Sequence, residues 1–299
     1  MQADCKPKNR EGIKMINKKV WLVTGTSSGF GRKLVEALLA RDYAVVATAR
    51  KLADIADFNK YDDVLTTTLE VTNHDDVLRV VAEAVDRFGK IDVLVNNAGW
   101  GYFGNIEESD ETTVRAMFET NFWGLSDMTR AVLPVMREQR SGHILNLTSI
   151  AGIVGSPAFG YYNATKHAVE GWSKALAQEV APLGIKVTNI EPGPFRTDWA
   201  GRSHISAERT ISDYDGGAAE KHKALTESIS GKQTGSPELA ALAMIKIATI
   251  KNPPLHFLAG QNAWQRAHDQ LDKLNADFDT WQGVTNHLDY GDEAYWADF

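Results

Sequence analysis

Cysteine is nearly absent from this 299-residue chain: a lone Cys5 has no partner for an internal disulfide and lies in a polar stretch with no catalytic base beside it. A reducing, cytoplasmic setting is therefore expected. Positive charge is in deficit as well, with 32 Lys+Arg against 39 Asp+Glu and a formal net charge of −7. Such a chain has no general attraction to phosphate backbones or anionic lipid, so nucleic acid is not an expected partner. Long hydrophobic runs are also missing. The apolar segments are strand-sized or interrupted by charges, which predicts no membrane span. The cations Lys6, Lys8, Arg10, Lys14, Lys18 and Lys19 are not followed by the apolar stretch of a secretory signal. Residues 1–18 read as a polar leader, expected to be disordered and without chemistry of its own. No metal site is expected.

What the chain does have is 43% hydrophobic and 24% charged residues, the balance of an ordinary globular protein long enough to bury a sizeable core. The run Val20 to Thr24 is short and apolar and ends in a glycine cluster, after which Leu34, Val35, Leu38 and Leu39 recur at helical spacing. Further strands are predicted at Ala44 to Ala49, Val64 to Val71, Ile91 to Val95, His143 to Thr148, Ile185 to Ile190 and Leu255 to Leu258. Helices are predicted at Asp75 to Phe88, Asp110 to Arg137, Tyr161 to Ala181 and Pro237 to Ile250. Parallel neighbours need right-handed helical crossovers, so this alternation predicts a single α/β domain over residues 19–260. Its architecture is a Rossmann-type doubly wound parallel sheet with helices on both faces. Residues 194–235 are polar and carry no clear strand pattern, the signature of a lid or a disordered loop. Residues 261–299 read as a C-terminal helical extension. Trp264, Ala267, Leu271, Leu274, Phe278 and Trp281 recur there every three or four residues, an apolar stripe expected to pack on the domain or on a second subunit.

Gly25, Gly29 and Gly31, with Ser27, Ser28 and Phe30 between them, fall in the turn between the first strand and first helix. Glycines there permit a tight turn and let the backbone approach a pyrophosphate, while the helix N-terminus offers free N–H groups to the anion. The spacing is wider than in the G-x-G-x-x-G fingerprint; the position after the opening strand carries the reading. About twenty residues on, where an acid would read a ribose hydroxyl, the chain has Ala49-Arg50-Lys51. Arg50 can pair with a 2′-phosphate, so NADP(H) is the preferred cofactor, with NAD(H) still usable. Charge-assisted hydrogen bonds contribute ~1.5–3 kcal/mol, which corresponds to a preference of roughly ten- to a hundredfold.

Tyr162 and Lys166 are four apart near a helix start and so project from adjacent turns about 40° apart, whereas Tyr161 would lie about 140° away from Lys166. A free phenol has a pKa of about 10, and ionising it at neutral pH costs about 4 kcal/mol. A neighbouring ammonium and a bound nicotinamide cation lower that cost, and carbonyl reduction, which uses the neutral phenol, should be the easier direction. Ser149 follows the His143 to Thr148 strand directly. Together with the glycine turn, Asn96-Asn97-Ala98-Gly99 and Pro192-Gly193, it stands at a carboxyl end of the sheet, the edge at which open α/β sheets bind ligands.

On these motifs the chain resembles the short-chain dehydrogenase/reductase family across residues ~20 to ~260. The turn Thr24 to Gly31, Asn96 to Gly99, Asn121, Ser149, Tyr162, Lys166 and Pro192-Gly193 match its pattern in order. The resemblance implies that Tyr162 is the general acid/base and that Ser149 bonds the substrate oxygen. It further implies that Lys166 holds the nicotinamide ribose while lowering the Tyr162 pKa, and that Asn121 holds a water linking Lys166 to solvent. Asn97, Ala98 and Gly99 would pass along the cofactor, Thr197 would contact the nicotinamide amide, and Asn96 would be structural. One departure is Glu70, where the family often has aspartate near the adenine; the neighbouring Val71 backbone becomes the stronger contact.

The same resemblance makes 194–235 the substrate loop. Its Phe195 and Trp199, with Trp100, Phe103, Ile150 and Phe159 near the strand exits, suggest a largely apolar pocket for a small carbonyl or alcohol. Arg196, Arg202 and His204 are expected to be solvated rather than substrate-binding. A homodimer or homotetramer through the helices holding Asn121 and Tyr162 is also implied. Two rival functions remain at this point: a non-catalytic NADP-sensing regulator, and an epimerase or dehydratase on the same fold. The joint presence of Ser149, Tyr162 and Lys166 argues against the first, and the glycine pattern against the second.

Overall fold

Val20–Val23 forms the first strand (β1), and each of its side chains is buried, with alternate residues serving opposite faces. Val20 and Leu22 enter one core and Trp21 and Val23 the other, as the two-residue period of a strand covered on both sides requires. The computed structural model describes residues 16–197, 199 and 204–297. The chain continues through α1 (Gly29–Leu39), β2 (Ala44–Ala49), β3 (Val64–Thr68), α2 (His74–Phe88) and β4 (Val93–Asn96). The second half runs through β5 (Gly101–Phe103), α3 (Glu111–Phe118), α4 (Leu125–Gln139), β6 (Gly142–Leu147), α5 (Gly160–Val180) and β7 (Ile185–Pro192). It ends with β8 (His204–Ser206), α6 (Ala218–Ser228), α7 (Pro237–Thr249), β9 (His256–Ala259) and α8 (Gln261–Thr285).

Seven strands form one parallel sheet in the order β3-β2-β1-β4-β6-β7-β9. The doubly wound single domain expected from the alternation is what the chain builds. One face is covered by α2, α4 and α5 through Val77, Val80, Met128, Val132 and Leu176, the other by α1 and α7 through Leu34, Leu38, Ala241 and Met244. Strand order reverses at β1 and β4, and the crevice outside their carboxyl ends is where such sheets bind dinucleotides.

Four features depart from the expected element map. The strand expected over Val64 to Val71 stops at Thr68, and Glu70-Val71 continue as a turn. The long helix expected over Asp110 to Arg137 contains a π-turn at Glu119–Gly124. At its end a Cβ on Gly124 would come within 2.8 Å of Val71 Cγ2, so only glycine fits the packing there. The segment 194–235 is not featureless: it carries β8, which pairs with β5, and α6. Its approach is tied down where Glu108 accepts from the backbone N–H groups of Thr210 and Ile211 at 2.8 and 2.9 Å. Finally, α8 forms, but only Ala263 and Ala267 are buried on the domain, while Trp264, Leu271, Phe278 and Trp281 are more than half exposed. Of the stripe only Ala267 packs on its own domain, because docking runs through the small residues of the first two turns.

Of the expected leader, residues 1–15 lie outside the described residues, but Ile16 packs against the core and Lys18 pairs with Asp42 and Asp63. Among the described residues no helix is long and apolar enough to cross a membrane.

Candidate active site

The turn after β1 needs its glycines for separate reasons. Gly25 and Gly29 have φ of 69° and 55°, a region that costs other L-residues energy. At Gly31 a Cβ would sit 2.4 Å from Gly25 O and 2.5 Å from Asn97 Nδ2, so the first turn of α1 can press onto the loop only without a side chain. Asn97 locks the loop by donating to Thr24 O and Gly25 O at 2.8 and 2.9 Å, while Thr24 Oγ1 accepts from the N–H groups of Asn97 and Ala98, both at 2.9 Å. Thr24 was legible only as part of the turn. Ser28 caps α1 without a side-chain hydrogen bond, and no acidic residue stands in the first turn, so the N-terminal N–H groups and the dipole face the cleft uncompensated. Thr197 lies opposite, its Cβ 3.7 Å from where a Cβ on Gly29 would be. This glycine-lined cradle beneath a helix N-terminus fits a pyrophosphate.

Gly25, Ser27, Ser28, Gly29 and Phe30 line one end of a continuous cleft of about 1170 Å³, which then passes Arg50, Glu70, Val71 and Asn97 to Gly99. Arg50 is exposed at the end of β2 and forms no ion pair among the described residues. Glu70 is engaged locally, its carboxylate accepting from Thr72 N and Thr72 Oγ1 at 3.2 and 3.0 Å. Asn96 turns inward, donating to Thr129 Oγ1 and Asn146 Oδ1 at 2.9 Å each, a structural role as expected.

Further along the cleft, β6 delivers Ser149 and α5 delivers Tyr162 and Lys166. Ser149 Oγ accepts from Ala151 N at 3.0 Å, capping the short turn that follows, donates to Pro192 O at 3.5 Å, and lies close enough to the Tyr162 phenol to lower its pKa. Cap and site ligand are thus the same hydroxyl. Tyr162 is 7% exposed, its ring 5.2 Å from Trp199 and 6.5 Å from Phe159. Burial pushes the phenol above its ordinary value and the nearby Ser149 hydroxyl opposes that shift. The lowering expected at Tyr162 is thus not produced by the protein groups alone. Lys166 Nζ lies 5.7 Å from the Tyr162 ring centre and donates to Leu147 O at 2.7 Å. Burial pulls its pKa down to about 8 against the raising effect of the Glu170 charge, leaving an ammonium at neutral pH.

Asn121 projects from the π-turn, a distortion frequent at functional sites, and is buried. Its Oδ1 accepts from Trp100 N at 3.0 Å and its Nδ2 donates to Trp100 O at 2.9 Å. Gly99 makes room for it: a Cβ there would meet Asn121 Oδ1 at 3.0 Å and Lys166 Nζ at 4.0 Å.

Trp100, Ile150, Phe159, Phe195 and Trp199 line the same cleft, and so do Pro192 and Gly193. Phe103 does not. It is 1% exposed and sits behind the wall, stacked on His204 at 4.1 Å and 4.5 Å from Phe159, because β5 turns it into a separate small core. His204, expected to be solvated, lines the cleft instead, whereas Arg196 does not line it and donates to the backbone oxygen of Gln233, which does. Arg202 lies outside the described residues. Sequence reading missed two walls altogether: His222, Leu225 and Thr226 from α6, and Asn262, Arg266 and Lys273 from α8. The polar positions of α8 recur at intervals of four, seven and eleven, a signal eclipsed by the apolar stripe beside it.

Comparison with known proteins gives this geometry a lineage. A family model described as short chain dehydrogenase matches residues 19–206. The chain belongs to the short-chain dehydrogenase/reductase family. It is 37% identical over 270 residues to an oxidoreductase named BOA17 from Botryotinia fuckeliana, covering 89% of this chain and 98% of that protein. It is 37% identical over 244 residues to a 3-ketodihydrosphingosine reductase from Bacteroides thetaiotaomicron, covering 81% and 88% respectively. A short-chain dehydrogenase structure from Streptomyces avermitilis superposes with a TM-score of 0.84 at 36% identity, covering 91% of this chain and 100% of that one. A serine dehydrogenase complexed with NADP+ gives 0.70 at 26% identity, covering 80% and 93%. The chain is therefore an oxidoreductase of this family with a site for a nicotinamide cofactor.

Proposed function

We propose that the protein is an NADP(H)-dependent oxidoreductase that interconverts a small ketone or aldehyde and its alcohol, with Tyr162 as general acid/base. The observation that carries the reading is the convergence of Ser149, a buried Tyr162 and the Lys166 ammonium, 5.7 Å from the ring centre, on the lining of one glycine-cradled cleft. The nicotinamide supplies or accepts the hydride. Negative charge then develops on the carbonyl oxygen and requires a proton and a fixed donor. Tyr162 holds that proton, its phenol kept neutral by burial, and Ser149 Oγ fixes the oxygen beside it. Lys166 holds the ribose and places a positive charge near the phenolate left by proton transfer, with Asn121 and a bound water returning the proton from solvent. Because the resting phenol is protonated, reduction is the easier direction near neutral pH. The ketone-reducing relative from Bacteroides thetaiotaomicron supports the carbonyl assignment.

NADP(H) is preferred because Arg50 stands free at the cleft rim with no carboxylate at the end of β2 to repel a 2′-phosphate. Arg50→Ala is expected to raise the KM for NADPH roughly ten- to a hundredfold while that for NADH changes little. Steady-state kinetics with both nucleotides check it, and equal effects on the two remove the assignment. A carbonyl and alcohol panel followed at the reduced-nicotinamide absorbance tests the reaction class. The working form is a homodimer or homotetramer through the long helices that hold Asn121 and Tyr162, which sedimentation measures.

A further inference from the structure

Arg266, like Arg50 at the other part of the cleft, meets no carboxylate among the described residues. Arg32, Arg79, Arg115 and Arg209 each meet a carboxylate, as expected where acids outnumber bases. Arg266 is half-buried on the cleft wall, and its one hydrogen bond among the described residues runs from Nη2 to the neutral hydroxyl of Ser156 at 2.7 Å. The nearest carboxylate along the helix, Asp269, lines the same cleft but accepts from Gln265 Nε2 at 2.8 Å and forms no ion pair with Arg266. Loss of solvation lowers the guanidinium's pKa with no ion pair to offset it, and burial, followed by the Arg266 charge, disfavours a proton on His222. A partly desolvated cation left unpaired in a cleft is costly unless something else supplies the anion.

The surroundings define what that partner must look like. Between Arg266 and the phenol the wall is aromatic: the His222 ring lies 4.8 Å from Phe159, and Phe159 lies 6.5 Å from Tyr162. Trp199 closes the same wall, 5.8 Å from Phe159 and 5.2 Å from Tyr162. One end of the substrate space therefore offers a proton donor pair, the middle offers apolar rings, and the far end offers a planar cation with free donors. Lys273, further along the same face of α8, adds a second positive charge to the lining, against the one carboxylate that α8 brings there, Asp269.

We propose that Arg266 is a specificity-determining residue that binds a carboxylate, and that the preferred substrate is a carbonyl acid whose two groups are separated by an apolar spacer lying over Phe159 and Trp199. This rests on the carbonyl reading of the Tyr162 site but adds a ligand contact from α8, beyond the part of the chain that the family model covers. A guanidinium engages a carboxylate through two parallel N–H donors, so its recognition is directional as well as electrostatic.

Two measurements test this. In the first, heptanoate and heptanamide are titrated calorimetrically into the NADPH-loaded protein. Wild type is expected to bind the acid roughly ten- to a hundredfold more tightly than the amide, Arg266→Met to lose that difference, and Arg266→Lys to recover part of it. Equal binding of the two by wild type, binding of neither, or a difference that survives in Arg266→Met overturns the anion site. In the second, adipic semialdehyde and its methyl ester are compared as substrates. The acid-to-ester ratio of kcat/KM is expected to fall by the same factor in Arg266→Met, and an unchanged ratio overturns the specificity role. If heptanoate binds through Arg266 while neither aldehyde is reduced, the carbonyl chemistry fails and the anion site stands.

Discussion

Replacing Tyr162 by Phe removes one oxygen from a ring whose position is already set by Trp199 and Phe159. Turnover is therefore expected to fall by ~10²–10⁴ or more while NADPH still binds, since the proton donor is lost but the cleft keeps its shape. Fluorescence titration beside steady-state rates separates the two effects; undiminished turnover would remove Tyr162 from the chemistry. Tyr162 and Lys166 were visible as a pair in sequence because helical spacing fixes which residues share a face. Ser149 was visible because a strand end fixes which edge it occupies. Arg266 was not, since no local period reports that a helix about a hundred residues further on closes the same cleft. Phe103 was misplaced for a related reason: its apolar character says that it is buried but not on which side of a wall.

At the level of the element, the turn between β1 and α1 is the most constrained piece of backbone. Gly31→Ala would force a methyl into 2.4 Å contact with Gly25 O, which the loop cannot yield without losing the Asn97 bonds that hold it. NADPH affinity is expected to drop at least roughly tenfold with a lower Tm, measured by calorimetry and thermal melting, in line with the ~1–3 kcal/mol cost of overpacking. A variant with unchanged nucleotide affinity would mean that the cradle is looser than its contacts imply. The π-turn that presents Asn121 shows the opposite relation to sequence. Its flanks read as one continuous helix because hydrophobic periodicity averages over a single widened turn, and only the folded backbone reveals the break. The segment 194–235 escaped for want of periodicity, its order coming from distant partners such as Glu108.

For the molecule as a whole, a buried acid cluster under β7 ties stability to pH. Glu191 is fully buried, with one oxygen 2.6 Å from His256 Nδ1, and Glu170 accepts from Asn189 Nδ2 at 2.6 Å and lies 3.4 Å from His256. Burial first, then the Glu170 charge, raises the Glu191 pKa above its ordinary value of 4.5, with Lys174 opposing weakly. The folded protein thus keeps a proton that the unfolded chain releases, so this contribution is complete at low pH and is lost as pH rises from the carboxylate range into the neutral range. Unfolding between about pH 5 and pH 8 should show a falling contribution that Glu191→Gln flattens. An identical pH slope in the variant would assign the titration elsewhere.

By itself the sequence determined the strand and helix alternation, the parallel sheet, the glycine cradle and the Ser149, Tyr162 and Lys166 set, because each depends on local spacing or on position at a strand end. Tertiary structure alone decided which aromatic rings face the cleft, that Arg266 reaches it from α8, and that α8 docks through Ala263 and Ala267 while its larger apolar residues stay exposed. Those outcomes depend on how elements far apart in the chain pack against one another, and side chains of the same polarity can satisfy such packing in more than one way.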